Sequence, residues 1–162
     1  MESSPRESLF DTYAEYREAV TEVVGAARSQ LAVFDADLAE TGLESRAGAS
    51  ALSRFLLASR SNRLRIVLHK PESVANTCPR LADLLKRFGH NAWLRQSPDD
   101  LLHLAERFIV ADGCHIVTRF HADHARGKVL IATEAEAGKW QRRFDELWEI
   151  ATEATGTTSL GL

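Results

Sequence analysis

The chain has 162 residues, 44% of them apolar, with 20 basic and 23 acidic side chains and a formal net charge of −3. That length and apolar content support one core without disulfide or metal staples, which predicts a single domain. The charge balance argues against nucleic acid or an anionic membrane as the main partner. The two cysteines, Cys78 and Cys114, are too far apart in sequence for a metal-type spacing or a disulfide framework. No apolar run reaches the roughly 18 residues of a membrane span, and the polar start lacks the basic-then-apolar pattern of a signal peptide. A soluble, cytoplasmic chain without cofactor or metal is the expectation.

Residues 1–8 are polar and include Pro5, which predicts a flexible tail. Asp11 can cap a helix whose apolar positions Tyr13, Tyr16, Val20, Val23, Val24 and Ala27 follow helical spacing. A short apolar strand over 31–35 ends in acid, and 43–49 reads as a loop. Residues 50–59 predict an amphipathic helix with Leu52, Phe55 and Leu56 on one side. A second strand follows over 64–69. Thr77 and Pro79 then open a helix buried through Leu81, Leu84, Leu85 and Phe88, with Gly89 as its stop. Residues 91–96 alternate around Trp93 as a third strand, broken off by Ser-Pro-Asp-Asp at 97–100.

The stretch 106–120 reads as two apolar strands joined at Asp112-Gly113, the pairing that most strongly signals a hairpin. A polar connection rich in His and Lys follows. Thr133 and Glu136 have the spacing of a capping box. The helix they open carries Ala137, Trp140, Phe144, Leu147, Trp148 and Ala151 as one apolar stripe, read as core. Residues 152–162, rich in Thr, Gly and Ser, are expected to form a C-terminal tail. Helices alternating with strands, and a hairpin before the last helix, predict an α/β fold: a mixed β-sheet flanked by helices on both faces, within a single domain over 9–151.

Arg107 and Asp112 stand five apart, as the lysine and aspartate do in the His-x-Lys-x4-Asp signature of the phospholipase D-like superfamily, and the order of elements resembles one half of such an enzyme. Arg-Phe-Ile-Val-Ala-Asp at 107–112, the Gly127-Lys128 step and Phe-Asp-Glu-Leu-Trp-Glu at 144–149 are similar to a bacterial branch of that group, some members of which carry a fused acetyltransferase domain. In active relatives the histidine attacks phosphorus, the lysine holds phosphate oxygens, and two motif copies meet across a twofold axis. Here the histidine position is Ala105, and the asparagine that follows the motif has no counterpart in Thr118-Arg119-Phe120. The resemblance therefore implies a degenerate motif, a non-catalytic binding or regulatory module, and a homodimer with isologous contacts around 106–120.

His103 has the same strand parity as Ala105, but two residues of strand are about 7 Å, far outside the tolerance of a reacting centre. Arg107, His103, His69, Arg119 and Lys128 are the candidate contacts for a small anionic ligand, with Asp112 and Gly113 structural and no catalytic or metal-ligating residue assigned. Two enzyme alternatives stand beside this reading: a retained phosphodiesterase or nuclease, and a haloacid dehalogenase-like phosphatase using Asp35 and Asp37 after the first strand. His121, Asp123 and His124 could hold a metal only if their loop folded back on itself. Arg54, Arg60, Arg63 and Arg65 form no patch that the sequence alone can assemble, and no aromatic residue is interleaved with them. A protein partner remains the other class of ligand.

Overall fold

The computed structural model describes residues 4–154. Its eight strands are β1 (Arg6–Phe10), β2 (Gln30–Asp35), β3 (Arg63–Leu68), β4 (Ala92–Gln96), β5 (Arg107–Ala111), β6 (His115–Arg119), β7 (Gly127–Ile131) and β8 (Thr152–Glu153). The five helices are α1 (Tyr13–Ala26), α2 (Arg46–Ala58), α3 (Glu72–Thr77), α4 (Pro79–Arg87) and α5 (Glu134–Ile150). One sheet runs β1-β7-β6-β5-β2-β3-β4-β8, with β2, β3 and β4 parallel and every other neighbouring pair antiparallel. This is the expected mixed sheet.

Alternation along the strands divides the core between the two faces. Leu31, Val33, Leu64, Ile66, Ile109 and Val117 pack with α1, α2 and α4 on one side. Ala32, Phe34, Val67, Phe108, Val110 and Ile116 pack under Phe144 and Leu147 of α5 on the other. The stripe read along 137–151 is thus the single-helix cover of that second face.

Six expectations change. Residues 6–8, expected in a flexible tail, belong to β1, because Arg6 to Phe10 pair with Ile131 to Gly127 and Arg6 forms an ion pair with Glu22. An edge strand needs few buried side chains, and here Phe10 alone is fully buried. The connection after the hairpin contains β7, and the tail expected from residue 152 first pairs with β4 as β8; 155–162 lie outside the described residues. Thr133 does not close a capping box. Its hydroxyl is buried without a hydrogen-bond partner, while the box forms at the other end of the chain, where Thr12 Oγ1 accepts from Glu15 N at 3.1 Å and the Asp11 N–H donates to Glu15 Oε1 at 3.3 Å. Thr12, not Asp11, is therefore the cap of α1. Finally, α2 begins at Arg46, capped by Ser45, so that the second half of the expected loop is helical.

Candidate functional site

The two ends of the β5–β6 hairpin are built differently. At the closed end Asp112 and Gly113 both have positive φ, 58° and 63°, as the tight turn requires. The Asp112 carboxylate faces away from that turn toward the start of β2, where it accepts from the N–H groups of Arg28 (2.9 Å), Ser29 (2.8 Å) and Gln30 (2.9 Å) and from the Ser29 hydroxyl (3.0 Å). Partial burial pushes this carboxyl up, but the N–H groups of Gln30, Ser29 and Arg28 outweigh it and hold the group below the usual carboxylate range. These bonds reach beyond the turn and fix the start of β2 against β5.

The open end carries a polar row on the α1 face. Register sets Arg107 opposite Arg119, Arg119 opposite Gly127, and Gly127 opposite Phe10. Asp35 ends the row from β2, its Oδ1 3.5 Å from Arg107 Nε. Position 127 requires glycine: a Cβ there would collide with the Thr118 carbonyl oxygen and the Phe10 ring.

Like charges directly opposite on a sheet repel, and burial sharpens the cost. Arg119 is 3% exposed, the Arg107 side chain 11% and Asp35 2%. Full burial pushes the Asp35 carboxyl above its ordinary range, against Arg107 first, then the N–H groups of Asp37 and Leu38, then Arg119. Ionised or not, one carboxyl cannot neutralise two guanidinium groups, so the row is net positive. Arg107 Nη1 donates to the Ala105 carbonyl at 2.7 Å. Arg107 Nε, Arg119 Nε and Arg119 Nη1 are buried donors with no hydrogen-bond acceptor among the described residues, the contact to Asp35 being an ion pair by distance only. The Arg119 guanidinium lies 5.1 Å from the Tyr16 ring centroid and 5.4 Å from that of Tyr13. Burial, then Asp35, push the Tyr16 phenol well up, so that it stays protonated.

Of the residues expected to contact an anion, Arg107 and Arg119 therefore meet and the other three do not join them. His103 lies exposed in a turn ahead of β5, whose ladder begins only at Arg107, so no strand gives it the parity expected of it. Lys128 alternates with Val129 and shares the opposite sheet face with Leu130. His69 is a satisfied residue at the end of β3: its Nε2–H donates to the Leu104 carbonyl at 3.1 Å, which leaves Nδ1 to accept from the Ser97 hydroxyl at 2.6 Å. Burial holds this imidazole below the usual histidine range, with Arg107 adding to the shift and Asp35 opposing it, so His69 feels the row although no hydrogen bond joins them.

Asp35 also corrects the phosphatase reading. Its Oδ1 accepts from the N–H groups of Ala36, Asp37 and Leu38 at 2.7, 3.2 and 3.1 Å, which turns the carboxylate inward as the brace of the β2 turn rather than outward as a nucleophile. Asp37 likewise accepts from Ala39 N. His121 and His124 stand edge to face, ring centroids 5.9 Å apart, and no group of three or more His, Cys, Asp or Glu side chains among the described residues is placed to hold a metal ion. Sequence reasoning missed Tyr13, Tyr16 and Gly127 as parts of the Arg119 environment. The available signal was arithmetic, since Arg107 and Arg119 are equidistant from Gly113.

A family profile described as a domain of unknown function, DUF7931, matches residues 12–160. The chain belongs to the DUF7931 family. No curated protein matches it. Among solved structures, this DUF7931 domain is similar to TrmBL2, an archaeal chromatin protein whose structure shows a novel mode of DNA binding, at a TM-score of 0.67 and 15% identity over 92% of this chain. It spans about half, 54%, of that protein's length. It is also similar to Nuc from Salmonella typhimurium, a phospholipase D family member, at a TM-score of 0.65 and 12% identity over 93% of this chain and 99% of Nuc. NucT from Helicobacter pylori matches at 0.63 and 14% identity over 93% of this chain and 100% of NucT. At such identities the likeness shows the fold, which is phospholipase D-like. The argument from net charge against a nucleic-acid partner does not fit the first of these neighbours, a distant one. No helix among the described residues is long and apolar enough to cross a membrane.

Proposed function

We propose that this DUF7931 domain is a non-catalytic phospholipase D-like module that binds a small oxyanion, such as a phosphate ester, between Arg107 and Arg119. One observation carries the reading: two opposed, buried guanidinium groups keep three N–H donors without acceptors on the strand face that the resemblance associates with phosphate. A bound oxyanion would accept those donors and neutralise the excess positive charge, and guanidinium forks match oxyanions in two-point geometry. Covalent chemistry lacks a residue, because the methyl side chain of Ala105 has no nucleophilic atom to accept phosphorus.

Thermal unfolding in rising inorganic phosphate and nucleoside monophosphate tests the binding. A ligand that prefers the native state raises the midpoint, and Arg107→Gln and Arg119→Gln should each abolish the rise. A midpoint indifferent to every anion in the wild type would remove the reading. Turnover of bis-p-nitrophenyl phosphate that disappears in His103→Ala would instead establish an active phosphodiesterase. The homodimer with isologous contacts would seat on the strand ends near Phe120, because β5 and β6 lie inside the sheet and offer no free edge. Light scattering that gives 18.0 kDa at all micromolar concentrations would count against it.

A further inference from the structure

Two surfaces outside the arginine row complement each other and lie on opposite faces of the sheet. The first is a groove of about 540 Å³ between α2 and α4. Arg46 and Arg54 line it from α2, Arg80 and Arg87 from α4. The α2 positions 46, 49, 50, 53, 54 and 57 form one helical stripe, and the small residues Ala49, Ser50 and Ser53 make a floor that a third helix can approach closely. Arg87 pairs with Asp83 at 3.8 Å, a long contact between solvated groups and therefore weak, whereas Arg80 pairs at 3.6 Å with the half-buried Glu44, which also accepts from the N–H groups of Arg80 and Leu81. Arg46 and Arg54 have no acidic partner among the described residues. Leu57, 68% exposed, adds an apolar end to the groove.

The second surface is the outer stripe at the end of α5, Arg142, Glu146, Glu149 and Ile150, all exposed and spaced as one helical face. Ile150 is 55% exposed, and neither glutamate has a basic partner among the described residues. If α5 lies in the groove with Ile150 beside Leu57, Glu146 and Glu149 fall at the level of Arg54 and Arg87. Arg142, about 12 Å earlier along the helix, then reaches Asp83. In this register the two glutamates meet two of the rim arginines and the apolar ends meet, while Arg46 and Arg80 receive no acid from α5.

We infer that the α2–α4 groove receives α5 of a second copy of this chain. The two surfaces differ, so the contact is heterologous and joins copies head to tail, unlike a twofold dimer. Every rim cation is arginine and none is lysine, the bias of protein interfaces, whereas a duplex backbone would meet the Asp83 carboxylate in mid-groove.

Sedimentation velocity of the full chain at rising concentration tests this. The wild type should exceed 18.0 kDa at low salt and return toward it at high salt. Arg54→Glu with Arg87→Glu, and separately Glu146→Arg with Glu149→Arg, should each weaken association at least tenfold without moving the thermal midpoint. Mixing these two variants should restore association, because each keeps the surface the other lacks and the two charge-reversed surfaces complement each other. Three outcomes would overturn the inference: a wild type fixed at 18.0 kDa, a mixture that fails to pair, or a dimer that survives both substitution pairs, which would place the contact at the strand ends. A monomer that binds a mixed-sequence duplex oligonucleotide through Arg54 and Arg87 would assign the groove to nucleic acid and overturn it equally.

Discussion

The closed and open ends of the β5–β6 hairpin are about five residues apart along the same two strands, yet they treat charge in opposite ways. At the closed end one carboxylate meets four donors and none is left over. At the open end two guanidinium groups share one carboxyl and three donors stay unmatched. A buried group with every partner in place stabilises a fold, whereas one without them costs free energy that evolution retains when the group does something else. Asp112 is thus a clamp, and under the proposed reading Arg107 and Arg119 are the part available for binding.

The comparison can be broken at four points. Asp112→Ala should cost about 2–4 kcal/mol, because it strands three backbone donors at the start of β2, and urea unfolding would read it as a lowered midpoint with unchanged slope. Gly127→Ala should cost about 1–3 kcal/mol by overpacking the row against Phe10; a neutral result would mean the row is looser than its register suggests. Arg119→Met should move the other way, raising stability by about 1–2 kcal/mol as an apolar chain replaces a buried, under-paired charge, while it abolishes the response to phosphate. A destabilised Arg119→Met protein would mean that the tyrosine rings already repay the guanidinium in full. The smallest effect is in acid. Because the folded Asp112 carboxyl is held below its unfolded value, its contribution is present above about pH 3.9 and is lost as pH falls through the folded value. Asp112→Asn should therefore flatten the midpoint's fall below about pH 4, and an unchanged acid limb would show that other carboxylates govern it.

Much of this was legible in the chain. Asp-Gly flanked by apolar runs placed the hairpin, and helical spacing located most of the buried face of every long helix. What the sequence hid was cross-strand adjacency. Arg119 ends β6, whose register depends on the turn type, so its equal distance from Gly113 puts it opposite Arg107 only once the turn geometry is known. β1 escaped because its side chains are mostly exposed and polar, and its evidence is a backbone ladder with β7. Asp35 left a phosphatase alternative open because an acid closing a strand looks alike whether it faces solvent or braces a turn; its burial and three N–H donors favour the brace. The groove arginines were visible individually, but Arg46 lay in an expected loop, and Arg80 and Arg87 belonged to a helix read for its apolar side alone.

β1 and β8 occupy opposite edges of the eight-stranded sheet, with every other strand between them. Seven inter-strand steps of about 4.8 Å separate the two edges by roughly 34 Å. A segment joined ahead of β1 and another joined after β8 would thus leave from opposite flanks, held apart by a continuous hydrogen-bonded plate. In a longer polypeptide such a plate would serve as a spacer of fixed width.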